Sequence, residues 1–190
     1  GAGEPDFASP AVAVEAARQA LADGFTKYTQ NQGIPALRQA LAKRYAQRYG
    51  APWTADQTLI AVGGKGALFD VALALFEEGQ EVLLHTPAWV SIPEQIRFAG
   101  ATVVEVPTTG ADGFAVDPDA MLAAITARTR AVIVNSPCNP TGGRISPAAM
   151  TVGPRRSSRR RGADRSTTPL DPTPPLLICF ISQQTMGGTR

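Results

Sequence analysis

The sequence predicts an α/β fold, a mostly parallel sheet with flanking helices. Short apolar runs alternate with amphipathic stretches at helical spacing between Thr58 and Val134, the pattern of strands joined by helical crossovers. The strands are β-branched and almost continuously apolar, as in a sheet covered on both faces. The 190 residues are 44% hydrophobic and 18% charged, an ordinary globular balance that argues against whole-chain disorder, collagen and coiled coil.

The elements follow in order. Ala11 to Asp23 carries apolar residues at helical spacing, and Gly24 supplies a stop. Ile34 to Tyr49 is a second amphipathic helix. Pro35 lies in its first turn, where a missing N–H costs little, and Leu37, Leu41 and Tyr45 share one face. Thr58 to Val62 reads as a strand ending at Gly63-Gly64, and Ala67 to Phe76 as a helix. Glu81–His85, Thr102–Val106 and Ala131–Val134 are then strands, separated by helices over Ser91–Ala99 and Pro118–Ala127. Right-handed crossovers should link them.

Composition narrows the function classes. No apolar run approaches the ~18 residues of a spanning helix, and no secretory leader is visible. Cys138 and Cys179 cannot build a disulfide framework or a metal cluster, and His85 is the sole histidine. A reducing, cytoplasmic setting is expected and a metal site is not. The net charge of +2 hides an asymmetry: 11 Lys+Arg against 14 Asp+Glu in residues 1–150, then 7 Arg against 2 Asp in residues 151–190. That last segment holds Arg155-Arg156, Arg159-Arg160-Arg161, five prolines and ten Ser/Thr, with Leu176 to Ile181 as its one apolar stretch. It reads as a basic tail, disordered or frameshifted. Clustered arginines can bind nucleic acid, but no aromatic residue interleaves them to stack on bases, which argues against that partner.

Three loops could carry chemistry. Gly63-Gly64-Lys65-Gly66 joins a strand to a helix, where free N–H groups can bind an anion. It has neither the Walker A spacing nor the third glycine of a dinucleotide fingerprint, so a tight turn is the plain alternative. Trp89 follows a strand end in Thr86-Pro87-Ala88-Trp89-Val90-Ser91 and could stack on a flat ring or simply pack; Trp53 reads as packing. Asn135-Ser136-Pro137-Cys138-Asn139-Pro140-Thr141-Gly142 follows the last strand, where ligands of α/β sheets gather. His85 is expected to be a satisfied buried histidine and Cys138 a small filler.

Five segments in this order resemble the class I pyridoxal-phosphate aminotransferases, most of all their bacterial aspartate aminotransferase branch. They are Gly3-Glu4-Pro5-Asp6-Phe7; Lys27-Tyr28-Thr29 with Gly33-Ile34-Pro35-Ala36-Leu37-Arg38; Val62 to Leu68; Pro87 to Ser91; and Asn135 to Gly142. The resemblance spans residues 1–149 and implies part of the large domain of a fold-type-I transferase. It implies pyridoxal 5'-phosphate as cofactor, an amino acid and a 2-oxo acid as substrates, and a homodimer. Gly64, Lys65 and Gly66 match the phosphate loop, with the Lys65 side chain pointing away. Trp89 matches the aromatic that stacks on the pyridine ring, and Asn139 the asparagine that bonds the ring hydroxyl and places the substrate carboxylate. Gly3 matches the backbone that meets the substrate α-carboxylate, and Tyr28 a tyrosine that reaches the neighbouring subunit's cofactor phosphate.

The family's Schiff-base lysine has no counterpart, since Lys27, Lys43 and Lys65 all lack the Ser-x-x-Lys context. The expectation is therefore a truncated, frameshifted piece whose parent transfers amino groups and which is inactive alone. A non-catalytic fragment with a basic tail, and a related pyridoxal-phosphate lyase, are the alternatives.

Overall fold

The computed structural model describes residues 6–146 and the backbone of residues 176–180. Contacts divide the chain into two compact units, residues 1–61 and 62–190.

The first unit contains α1 (Ala11–Ala22) and α2 (Pro35–Tyr49), then a single 3-10 turn over Ala55–Gln57. α2 starts at Pro35 and ends where Gly50 takes φ +65° and donates its N–H to Ala46 O, a left-handed stop. Arg38 is buried on α2. Its guanidinium donates to Thr58 O at 2.9 Å and to Ala55 O at 2.6 Å, the latter a carbonyl that also accepts the Thr58 N–H at 3.1 Å, so the loop's carbonyls are satisfied. Gly33 has φ +99°, and a Cβ there would lie 2.3 Å from Ile60, so only glycine fits. Trp53, read as packing, is more than half exposed beside Leu41, Ala42 and Tyr45. α1 buries no residue.

The strand expected over Thr58–Val62 does not form. Its Thr58 carbonyl is taken by Arg38, and its Ile60 N–H donates to Gln32 O at 3.0 Å. An apolar run becomes a strand only along a neighbouring edge, and here it has isolated bonds rather than a ladder. Leu59 and Val62 remain exposed. Among its described residues the first unit contains no strand.

The second unit is the α/β body: α3 (Gly63–Leu75), β1 (Glu81–Thr86), α4 (Ser91–Phe98), β2 (Thr102–Pro107), α5 (Pro118–Ala123), β3 (Thr129–Asn135) and β4 (Leu176–Phe180). The sheet runs β2-β1-β3-β4, all parallel. β1 is central and buried from Glu81 to His85. One apolar layer joins Val82, Leu84, Ala131 and Ile133 to Leu68, Ala72 and Phe76 of the α3 region and to Ile92 and Ile96 of α4. Beneath the other face, Leu83 packs with Val106 and Met121. β4 falls within the apolar stretch of the basic segment. Residues 147–175 and 181–190 of that segment lie outside the described residues, as does Gly3.

Two helix boundaries differ from expectation by four residues, and the others by at most one. α3 begins four residues early, so the glycine loop is its first turn, entered through Gly63 at φ +71°. α5 ends at Ala123 rather than Ala127 because Thr126 is drawn away: its hydroxyl donates to Glu81 Oε2 at 2.5 Å, and its N–H donates to Thr129 Oγ1 at 2.8 Å. The Arg128 guanidinium donates to Glu81 Oε1 as well.

The hydrogen bonds from Thr126 and Arg128 hold the Glu81 carboxyl below the usual glutamate range. A lowered folded pKa gives stability that is present at neutral pH and is lost as pH falls below about 4.3 towards the folded value. Glu81→Gln should therefore flatten the acid limb of the thermal midpoint between pH 6 and 3. An unchanged limb would show that this carboxylate does not tie β1 to β3.

Candidate functional site

The strand order creates a crevice. β1 leads through α4 to β2 on one side, and β3 leads towards β4 on the other. Adjacent strands whose connections depart in opposite directions leave a gap at their carboxyl ends, the common ligand position of open α/β sheets. The loop after β1 carries Trp89, and the loop after β3 carries Asn139.

Two contacts join these strand ends. His85 Nε2 accepts the N–H of Asn135 at 3.1 Å, and Cys138 Sγ donates to Pro87 O at 3.3 Å. Burial pushes the His85 imidazole below its ordinary pKa, and Nε2 must be unprotonated to accept that bond. His85 and Cys138 are both buried, as their sequence context suggested.

The loop after β3 is closed on itself. Cys138 N–H donates to Gly143 O at 2.8 Å, Gly142 N–H to Cys138 O at 2.7 Å, and Ile145 N–H to Ser136 Oγ at 3.0 Å. The Asn135 amide orientation is assigned from its hydrogen-bond partners: with the nitrogen towards Pro137 O, it donates there at 3.2 Å, and its oxygen then accepts the Asn139 N–H at 3.1 Å. Asn139 itself is half-buried.

The α3 turn faces the same side chain that follows β1. Lys65 Nζ lies 5.5 Å from the Trp89 ring centroid, within cation–π range. The Lys65 side chain, expected to point away, lies against the indole, and among the described residues no ion pair draws its ammonium elsewhere. Gln95 of α4 donates to Lys65 O at 2.9 Å and anchors the turn. Trp89 is half-buried and packs on the core layer with Leu75 and Ala88.

These residues suit a flat, phosphorylated ligand. α3 has no side-chain cap at its N-terminus, so the first-turn N–H groups and the helix dipole remain available to an anion. A Cβ on Gly66 would meet only Val62 Cβ at 3.8 Å. Packing within the chain therefore does not demand glycine there, while close approach of a ligand to the backbone would. Gly66→Ala is expected to raise the thermal midpoint, since alanine gains up to ~1 kcal/mol over glycine in a helix. The same change should weaken phosphate binding. Stabilisation without loss of phosphate affinity would argue against a phosphate at this turn.

Gly64, Lys65, Gly66, Trp89 and Asn139 thus lie on the second unit, with the Lys65 and Trp89 side chains in contact. Tyr28 belongs to the first unit and is fully exposed. The bonding of His85, Asn135 and Gln95 was not visible in sequence. Asn135 stood inside a quoted motif, but alternation along a strand does not show which polar side chain turns back on its own loop. Among the described residues, no His/Cys/Asp/Glu cluster could hold a metal, and no helix is long and apolar enough to cross a membrane.

Comparison with known proteins gives a concordant result. The chain is 52% identical over 141 residues to the aspartate/prephenate aminotransferase of Thermus thermophilus, covering 74% of this chain and 37% of that protein. It is 44% identical over 142 residues to the aspartate aminotransferase of Geobacillus stearothermophilus, covering 75% and 36%. Among solved structures, Thermus thermophilus aspartate aminotransferase with maleate matches with TM-score 0.77 and 49% identity, covering 78% of this chain and 39% of that one. The aromatic aminotransferase of Pyrococcus horikoshii matches with TM-score 0.76 and 37% identity, covering 79% and 40%. The chain spans little more than a third of the length of these curated relatives. The aminotransferase class I and II profile matches residues 1–151, and the chain belongs to that family.

Proposed function

We propose that this chain supplies the front part of the large domain of an enzyme that transfers an amino group between an amino acid and a 2-oxo acid, with aspartate as amino donor. The names of the relatives at 52% and 44% identity support that substrate. The family works with pyridoxal 5'-phosphate. When bound, this cofactor supplies an electron sink for a carbanion at the substrate α-carbon.

The observation that carries the reading is the uncapped first turn of α3 beside Trp89 at the sheet's crevice. The N–H groups of Gly64, Lys65 and Gly66 would hold the phosphate. The Trp89 indole would pin one face of the ring. The Asn139 amide would bond the ring oxygen and help place the substrate carboxylate. Gly3 would meet the substrate α-carboxylate through its backbone, and Tyr28 would reach the phosphate of a neighbouring subunit in a cytoplasmic homodimer. The boundary near residue 150 has support from the family match, which ends at residue 151.

The proton shuttle in this chemistry needs a lysine amine. Lys27, Lys43 and Lys65 all lack the Ser-x-x-Lys context, so none of the three would serve as that shuttle, and residues 1–190 by themselves would bind the cofactor without turning over. A chimera tests the whole reading. Residues 1–149 placed in the corresponding part of the Thermus thermophilus relative should restore transfer from aspartate to 2-oxoglutarate. The 190-residue chain alone should show no more transfer than free cofactor. A dead but folded chimera, or sustained turnover by the chain alone, would overturn it.

A further inference from the structure

His85 and Asn135 are buried polar residues at the crevice to which the proposed chemistry gives no direct part. Asn135 is 1% exposed and His85 2% exposed, so each of their polar groups must find a partner inside the protein. Those partners form a relay. His85 Nε2 takes the Asn135 N–H at 3.1 Å, fixing the last residue of β3 against β1. The Asn135 side chain then reaches forward, holding Pro137 O at 3.2 Å and the Asn139 N–H at 3.1 Å. One side chain thus clamps both ends of the turn that presents Asn139.

We propose that Asn135, held by His85, is the positioning residue that sets Asn139 for its contact with the cofactor ring. The inference rests on the reading of Asn139 given above. Without the clamp, the Asn139 N–H loses its acceptor, and the bonds that close the loop, at Cys138, Gly142 and Ile145, do not hold Asn139 itself. A side chain that must bond one ring oxygen needs a backbone fixed to a fraction of an ångström. Neither His85 nor Asn135 needs to touch the ligand for this.

Amide hydrogen exchange on the full 190-residue chain tests the clamp without any ligand. Asn135→Ala should speed exchange at Asn139 on the order of tenfold, as expected for one lost buried hydrogen bond. Leu83 and Val132, inside the sheet, should keep their protection and report an intact fold. His85→Leu should act in the same direction. His85→Gln, whose side-chain oxygen can accept the Asn135 N–H, should restore the slow exchange; a purely packing role for His85 predicts no such difference between Leu and Gln. Should Asn135→Ala fail to fold, the two His85 variants decide the matter. Unchanged Asn139 exchange in a folded Asn135→Ala protein, or equal exchange in His85→Leu and His85→Gln, overturns the proposal.

Pyridoxal phosphate titration separates this inference from the reading beneath it. Affinity should fall about tenfold in Asn135→Ala. Equal affinity in wild type and variant overturns the positioning role. A wild-type chain that binds no cofactor, yet speeds up at Asn139 when Asn135 is replaced, keeps the clamp and overturns the cofactor reading instead.

Discussion

Trp89→Ala is expected to weaken binding of pyridoxal 5'-phosphate roughly tenfold or more. Aromatic stacking contributes about 0.5–1.5 kcal/mol beyond area burial, and loss of the indole also releases the Lys65 ammonium that rests on it. Each 1.4 kcal/mol is a factor of ten in affinity. Trp89→Phe should keep a large share of the affinity, because a phenyl ring still offers a flat face. Trp89 also packs against the buried core layer, so the thermal midpoint of the alanine variant should fall too. Affinity for inorganic phosphate separates the two effects: it should survive in the folded variant, since the N–H groups of the α3 turn are untouched. Equal loss of phosphate and cofactor affinity would place the damage in the fold rather than in stacking. Undiminished cofactor affinity would remove Trp89 from the site.

Leu84→Ala should cost about 2–5 kcal/mol of folding stability, the usual range for a fully buried leucine. Leu84 has no exposed surface and stands on the central strand, with Ile133 across from it on β3. Its layer also holds Ile92 and Ile96 of α4 and Leu68 and Ala72 of α3. Domains of ordinary stability have only about 5–15 kcal/mol in total, so this one truncation removes a large part of it. Thermal or denaturant unfolding would show the midpoint shift. Leu73 of α3 is half exposed, and Leu73→Ala should shift the midpoint far less. Similar shifts for both would contradict the core assignment.

The strands of the second unit were legible because β1, β2 and β3 are short apolar runs between turn residues; β1 and β3 are buried as that pattern predicts, whereas β2, at the sheet edge, buries only Val106. The segment Thr58–Val62 shows the limit of the same rule. Its apolar run is as good as that of β3, but strand formation depends on a partner edge that local sequence does not encode. The end of α5 depended likewise on a distant group: Thr126 leaves the helix for Glu81, 45 residues earlier. The start of α3 shifted for a local reason, since glycine reads as a turn although it can also form the first turn of a helix.

The candidate site divides in the same way. Trp89, Asn139 and the glycine turn follow strand ends or open a helix, so the α/β rule for ligand position made them visible. The contact between Lys65 and Trp89 was not legible, because a lysine side chain has many rotamers and its choice depends on what lies nearby. His85 and Asn135 meet across 50 residues of chain, and no local pattern links them. Tyr28 lies in the first unit with its ring exposed, and the resemblance alone singled it out.

The α3 turn and Trp89 together would form a binding site for a phosphorylated ring. Equilibrium dialysis of the full 190-residue chain with pyridoxal 5'-phosphate, and in parallel with pyridoxal, tests it most directly. Saturable binding of the phosphorylated form is expected, with much weaker binding of pyridoxal and displacement by inorganic phosphate. Equal binding of both forms by the folded chain, or binding of neither, would contradict it.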